Sequence, residues 1–205
     1  MPNWMSFLAY VTISNISPGP NNIISMINGK HYGYKKTLKF MLGIMLGFFL
    51  IMNICASFNI FLDALIPKFK VVMGMIGAFY FLYLAYKIII CTNDYKYKNE
   101  NGLNTFMHGF LLQFVNVKGI IYGINLYGTF IIPYFHNKVV LCLFSLLFAL
   151  IAFIGTSIWA LFGTIFQSFL EQYDLVFRLT VGLILIYCAL SVSGLLRIFQ
   201  NIWFS

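Results

Sequence analysis

The sequence predicts an all-α polytopic membrane protein with six transmembrane helices. Three observations carry that expectation. Of the 205 residues, 61% are hydrophobic and 9% charged, against roughly 25% charged in soluble domains. The apolar residues fall in long continuous runs, not in the alternating pattern of a membrane β-barrel. The connections between runs are short, so one transmembrane domain covers residues 1–205 with little mass outside the bilayer. The lipid bilayer is therefore the first expected partner.

The ~20-residue length of a bilayer crossing places the spans at about 5–28, 40–62, 71–91, 106–132, 139–166 and 176–199. The first stretch has no basic region ahead of it and runs on past residue 21, so it reads as a span and not as a cleavable leader.

That first span contains Asn15-Ile16-Ser17-Pro18-Gly19-Pro20-Asn21. Pro-Gly-Pro does not continue an α-helix: the prolines remove backbone donors and the glycine adds freedom. In hydrocarbon, broken backbone survives only when buried in protein or lining a polar cavity. Asn15, Asn21 and Asn22 offer amides around the break. A half-helix starting after Pro20 would aim its free N–H groups there, which favours an anionic group.

The second span carries Gly43-x-x-x-Gly47 and the third Gly74-x-x-Gly77, both read as close helix contacts. Asp63 closes the second span as the acidic residue nearest the membrane. It is read as a solvated helix end or, alternatively, as a proton carrier. Tyr80, Tyr83 and Tyr86 read as packing and interface belt. The segment 92–105 is the longest and most polar connection. It divides the chain into half-repeats of about 1–91 and 106–205.

The fourth span is interrupted by Gln113-Phe114-Val115-Asn116-Val117-Lys118-Gly119. Lys118 is the formal charge set deepest in a span, where charges are costly and functional. It would attract a carboxylate or hold a broken helix by its carbonyls; the alternative is that it snorkels to the interface. Three spans on each side of 92–105 invert the second half. Each half then opens on an interrupted helix, which points to a midplane binding site between two inverted three-helix repeats. Trp159 in the fifth span lines the path or faces lipid.

The formal net charge is +8. In a soluble chain that would suggest nucleic acid; here basic loops set orientation, and no nucleic-acid partner is expected. Lys30, Lys35, Lys36, Lys39, Lys87, Lys96, Lys98 and Arg178 share one side; Lys68, Lys70, Lys138 and Arg197 take the other. The bias puts both termini outside. Cys55, Cys91, Cys142 and Cys188 read as small apolar filler. His31, His108 and His136 read as solvated or interfacial, without metal-ligand spacing. No metal site and no cofactor are expected. Carboxylates are missing from the span cores, which disfavours hard dications and cationic solutes. A neutral or zwitterionic solute bearing a carboxylate suits Lys118 and the amides better. No Gly-x-x-x-x-Gly-Lys-Ser/Thr loop is present, so ATP drive is not expected. No catalytic constellation lies within the membrane, so an enzyme is not expected.

The ordered set of motifs resembles one family. Ser17-Pro18-Gly19-Pro20-Asn21 is similar to the Pro-Gly-Pro box of the LysE/RhtB amino-acid exporters. The likeness continues through Gly29 to Gly33, Gly43 to Gly47, Gly74 to Lys87, Gly109 to Lys118 and Arg178 to Gly182, nearly the whole chain. Val117 stands where the family has proline, which predicts a softer fourth-span break, and Ala85 where glycine is common. The resemblance implies a six-span bacterial plasma-membrane exporter of amino acids or close derivatives, driven by the proton-motive force. The resemblance does not identify the substrate, since members range over basic, neutral and sulfur-containing amino acids; the missing carboxylates narrow it toward neutral ones, and the main reading is export by alternating access with protons as coupling ion. Asn15, Pro18, Gly19, Pro20 and Asn21 would form one wall of the site, Asn116 and Lys118 the other. A homo-oligomer is compatible. The alternatives are a metal or inorganic-ion exporter of related architecture and a non-transporting assembly or sensor subunit.

Overall fold

The computed structural model describes residues 4–57, 59, 75, 78–86, 88, 89 and 104–193. Every regular element among them is helical. The first span is two half-helices, α1 (Trp4–Ile16) and α2 (Pro20–Tyr32). The second is α3 (Tyr34–Ser57). Residues 78–86 of the third span are helical. The fourth is α4 (Phe106–Val115) and α5 (Val117–Leu126), the latter running into a π-helical turn over Tyr127–Ile131. The fifth is α6 (Lys138–Ile165), followed by the short α7 (Gln167–Gln172) and by α8 (Asp174–Ser193). Asp63, Cys91, Gly74, Gly77 and nearly all of the polar connection 92–105 lie outside the described residues.

Helices α3 and α6 are each long and apolar enough to cross a membrane, and α4 with α5 passes the same test as a bent pair. On α6 the exposed side chains include Leu143, Leu147, Leu150, Ile154, Ile158 and Leu161. Their three- and four-residue spacing marks one face of a helix, and in water such a stripe would be an aggregation surface. Lipid is the solvent that suits it.

Small residues let the backbones approach. A Cβ on Gly29 would collide with Ala160 O, and one on Gly163 with Met26 O, so α2 and α6 touch backbone to backbone. Gly43 and Gly109 do the same for α3 and α4, against Phe106 O and Phe40 O. Gly47 of the Gly-x-x-x-Gly pair faces Phe110 O. Gly33 has φ 76°, a conformation that side chains resist; there α2 ends and α3 begins with no intervening loop.

Two apolar cores result. One joins Ile23, Ile24 and Ile27 of α2 to Phe40 and Ile44 of α3, Phe81 and Leu84 of the third span and Leu185 of α8. The other joins Phe7 and Val11 of α1 to Met52 and Cys55 of α3, Ile124 and Tyr127 of α5 and Phe148 of α6. Leu112 of α4 belongs to the first core. Each core thus takes one half of each broken span: α2 with α4, and α1 with α5.

The reading of Lys30, Lys35, Lys36 and Lys39 as loop residues is corrected, since all four lie within α2 and α3. Lys30 sits in the last turn of α2, only 1% exposed, with Nζ 2.7 Å from Asp174 Oδ1 and 4.7 Å from the Phe177 ring centroid. Arg178 Nε is 2.7 Å from Asp174 Oδ2, and its Nη1 donates to Ile89 O at 2.9 Å. The cluster therefore ties α2, α8 and the third span together at one end of the bundle. Burial alone would raise the Asp174 carboxyl, but the Lys30 ammonium and Arg178 guanidinium outweigh it and hold it below its ordinary value. Its contribution to stability is complete at neutral pH and is lost only as pH falls through that lowered value.

Breaking a buried pair is costly because it leaves a buried charge uncompensated; losing Asp174 strands the buried Lys30, whereas losing Lys30 leaves a partly exposed Asp174 still paired with Arg178. Asp174→Asn should destabilise the purified protein by about 3 kcal/mol, the low end for a broken buried pair because Asp174 is partly exposed. Lys30→Met should stay within about 1 kcal/mol of the parent. Thermal melting in detergent reads both, and equal losses would contradict this account of the cluster.

Candidate functional site

The α1–α2 break follows from its sequence. Pro20 occupies the first position of α2, where its missing N–H costs nothing, and Gly19 before it is extended, at φ −164° and ψ 173°. The last carbonyls of α1 lose their helical partners, and side chains replace them. Ser17 Oγ donates to Ser14 O at 3.0 Å. Asn22 Nδ2 donates to Asn15 O at 2.8 Å and to Ser17 O at 3.0 Å. Trp159 Nε1 of α6 donates to Ile16 O at 3.2 Å. Trp159 thus neither lines the path nor simply faces lipid; it caps a broken helix.

Lys118 Nζ completes the set, donating to Ser17 O at 3.0 Å and to Ser17 Oγ at 2.7 Å. It does not snorkel outward. Its positive charge lies at the C-terminal end of α1, where the helix dipole favours a cation. An ammonium has three donors, so one remains for another acceptor. Gly19 packs closely beside it: a Cβ there would sit 3.1 Å from Lys118 Cδ and 3.2 Å from Nζ, so the lysine would have to shift slightly.

The second break lies at Asn116, with φ −80° and ψ 82°. Asn116 Oδ1 accepts from Gly119 N at 3.3 Å and caps α5. The axes of α4 and of α5 with its π-helical turn differ by 63°. The turn is made without a proline, the Asn116 side chain capping α5. A reciprocal amide pair links the two breaks. Asn21 Nδ2 donates to Gln113 Oε1 at 2.9 Å, and Gln113 Nε2 donates to Asn21 Oδ1 at 3.0 Å.

Between the breaks lies a cavity of about 350 Å³. Asn15, Gly19, Pro20, Asn21, Asn116 and Lys118, six of the residues expected to form a site, line it. Pro18 is exposed and does not. Asp63 lies outside the described residues. Asn15 Nδ2 is turned to Ile151 O of α6, at 2.9 Å. The remaining wall comes from Tyr10 and Ser14 of α1, Phe48 of α3, Tyr122 of α5 and Thr156 of α6. Thr156 announced itself weakly, as a polar residue in an otherwise apolar span. Phe48 gave no signal, because a lining phenylalanine and a packing one read alike.

A helical bundle in lipid with a polar cavity between two broken helices is a membrane translocator by architecture. The chain belongs to the LysE type translocator family, which it matches over residues 12–193. It is a multi-pass membrane protein and not an enzyme. It is 34% identical over 191 residues to a cysteine/O-acetylserine efflux protein of Escherichia coli O1:K1, and 36% identical over 192 residues to the Klebsiella pneumoniae protein of that name. Each alignment covers 91% of this chain and 95% of the relative. No solved structure matches the chain.

Asn22→Leu should test the capping account. It leaves Asn15 O without its donor and Ser17 O with Lys118 alone, an expected loss of roughly 1–3 kcal/mol for a buried unsatisfied group. A melting temperature equal to the parent's would show that the α1 carbonyls are satisfied some other way.

Proposed function

We propose that this chain exports a small neutral amino acid, or a derivative with an uncharged side chain, from the cytoplasm. One observation carries the reading. The cavity offers one ammonium, several amides and no carboxylate among the residues that line it. An α-carboxylate is the ligand group that such a lining attracts, and the α2 N-terminus, whose cap Gly19 has no side chain, adds a favourable dipole beside Lys118. A cationic side chain meets no counter-charge there. A divalent cation would meet the repulsion of Lys118 and amide oxygens only. The relatives' names, which specify cysteine and O-acetylserine efflux, support a small uncharged side chain.

The proposed cycle is alternating access driven by the proton-motive force. A carboxylate is a stronger acceptor than the carbonyl and hydroxyl of Ser17. Substrate therefore competes with Ser17 for Lys118 and loosens the α1 end of the break. The crossed packing, α2 with α4 in one core and α1 with α5 in the other, supports rocking of two bodies about the cavity, as expected of inverted repeats. The orientation with both termini outside remains part of this proposal.

Cells loaded with dipeptides should release one small group of neutral amino acids faster when they make the protein. A protonophore, Asn21→Ala or Lys118→Met should each abolish that release while the variants stay in the membrane at parental amounts. Full efflux by both variants would refute the site; release of no amino acid by the parent would refute the substrate class.

Orientation is tested separately. A cysteine at the exposed Lys35, in a chain freed of its own cysteines, should react with an impermeant thiol reagent only after the cytoplasmic face is opened. Labelling in intact cells would reverse the topology.

A further inference from the structure

We propose that Tyr122, backed by Tyr10 and Phe48, forms the side-chain subsite of the cavity and selects uncharged side chains that carry a hydrogen-bond acceptor. This deepens the export reading and rests on it.

Lys118 and Tyr122 are four residues apart on α5 and both line the cavity. They share a helix face about 6 Å apart along the axis. On α1, Ser14 and Tyr10 repeat the offset, and both line the cavity too. The cavity therefore has two levels. The polar level holds Lys118 and Asn21. The aromatic level lies one turn further along both helices. Tyr10 and Tyr122 stack there with centroids 5.4 Å apart and planes at 15°, and Phe48 lies 6.2 Å from Tyr122 at 26°. An amino acid held by its carboxylate at Lys118 has a reach of about one helical turn to this level, which a side chain of two to four heavy atoms spans.

The second step is an unused donor. Covered tyrosine hydroxyls normally find a partner. Tyr127 does: its hydroxyl meets Ser145 Oγ at 2.6 Å and Leu141 O at 3.1 Å. Tyr10 bonds the Asn125 side chain. Among the described residues, no hydrogen bond engages the Tyr122 hydroxyl, although its ring is held on two sides. A stacked ring that lines a cavity and whose O–H has no partner among the described residues is suited to recognise a ligand acceptor. Sites built to hydrogen-bond a substrate group discriminate against analogues that lack it more sharply than apolar pockets discriminate by size. The ester oxygens of an O-acyl side chain are strong acceptors for this donor. A thiol is a weak acceptor, but its sulfur gains from the aromatic faces.

The test is direct binding to the purified protein by calorimetry, with two probes of equal chain length. O-acetyl-L-serine carries ester oxygens and L-norleucine does not. The parent should prefer O-acetyl-L-serine. Tyr122→Phe keeps the ring stack and removes only the hydroxyl. It should weaken O-acetyl-L-serine roughly 3–10-fold, the worth of one neutral hydrogen bond, and leave L-norleucine and the melting temperature unchanged. Tyr122→Leu should weaken both probes. An equal effect of Tyr122→Phe on the two probes, no effect on either, or a parent that prefers L-norleucine overturns the subsite alone. A parent that binds neither probe overturns the export reading and the subsite with it.

Discussion

Backbone that leaves a helix inside an apolar surround must find its hydrogen bonds within the protein, since lipid supplies none. This requirement organises the molecule. The unwound Ser17-Pro18-Gly19 segment exposes the carbonyls of Ser14 to Ser17, and donors from α2, α5 and α6 converge on them. Once Asn22, Trp159 and Lys118 are committed to the break, those three helices hold fixed positions around it. The cavity is the space that remains between them. Its polar wall is thus the same set of groups that makes the break tolerable.

Glycine contacts are the complementary constraint. Helices in lipid gain little from hiding apolar side chains from one another and rely on close packing instead. Gly29 with Gly163, and Gly43 with Gly109, bring α2 onto α6 and α3 onto α4 at backbone distance. These two seams lie on the side of the first core. On the other side Gly123 meets Met52 and Cys55 through side chains, 2.7 Å and 3.0 Å from its would-be Cβ. Side chains repack and backbones do not. The seams of the first core, closed at its end by Lys30, Asp174 and Arg178, are thus backbone against backbone, while Gly123 in the second meets side chains.

Much of this was legible in the sequence because it is local. Hydrophobic runs located the spans, Pro-Gly-Pro announced the first break, and the polar insert at Gln113 to Gly119 announced the second. What escaped depends on partners far along the chain. Lys30 read as a loop cation because its neighbours are Lys35, Lys36 and Lys39; Asp174, 144 residues away, is what permits its burial. The pairing of Asn21 with Gln113 spans 92 positions. At the second break no proline stands, and the Asn116 cap of α5 does what local sequence alone did not announce. Tyr122 was visible as a tyrosine beside a break, but its register with Lys118 and its stack on Tyr10 depend on the tertiary fold.

The site's chemistry then follows from which capacity the structure uses up. Asn22 spends both of its amide hydrogen bonds on α1 carbonyls and is a structural brace, although it lines the cavity. Asn21 and Gln113 pair across the two halves, and Asn21 keeps one N–H and one oxygen lone pair for a ligand. Lys118 retains a donor beyond those on Ser17, and its charge is the strongest local attraction for an anion. In the proposed cycle a substrate carboxylate arriving there would act on the Ser17 contact and, one turn of α5 away, would bring its side chain to Tyr122. Binding and the loosening of the break would then be one event at one residue. Such a shared contact allows a substrate to bias two arrangements, because only a ligand with different affinity for each can shift their balance.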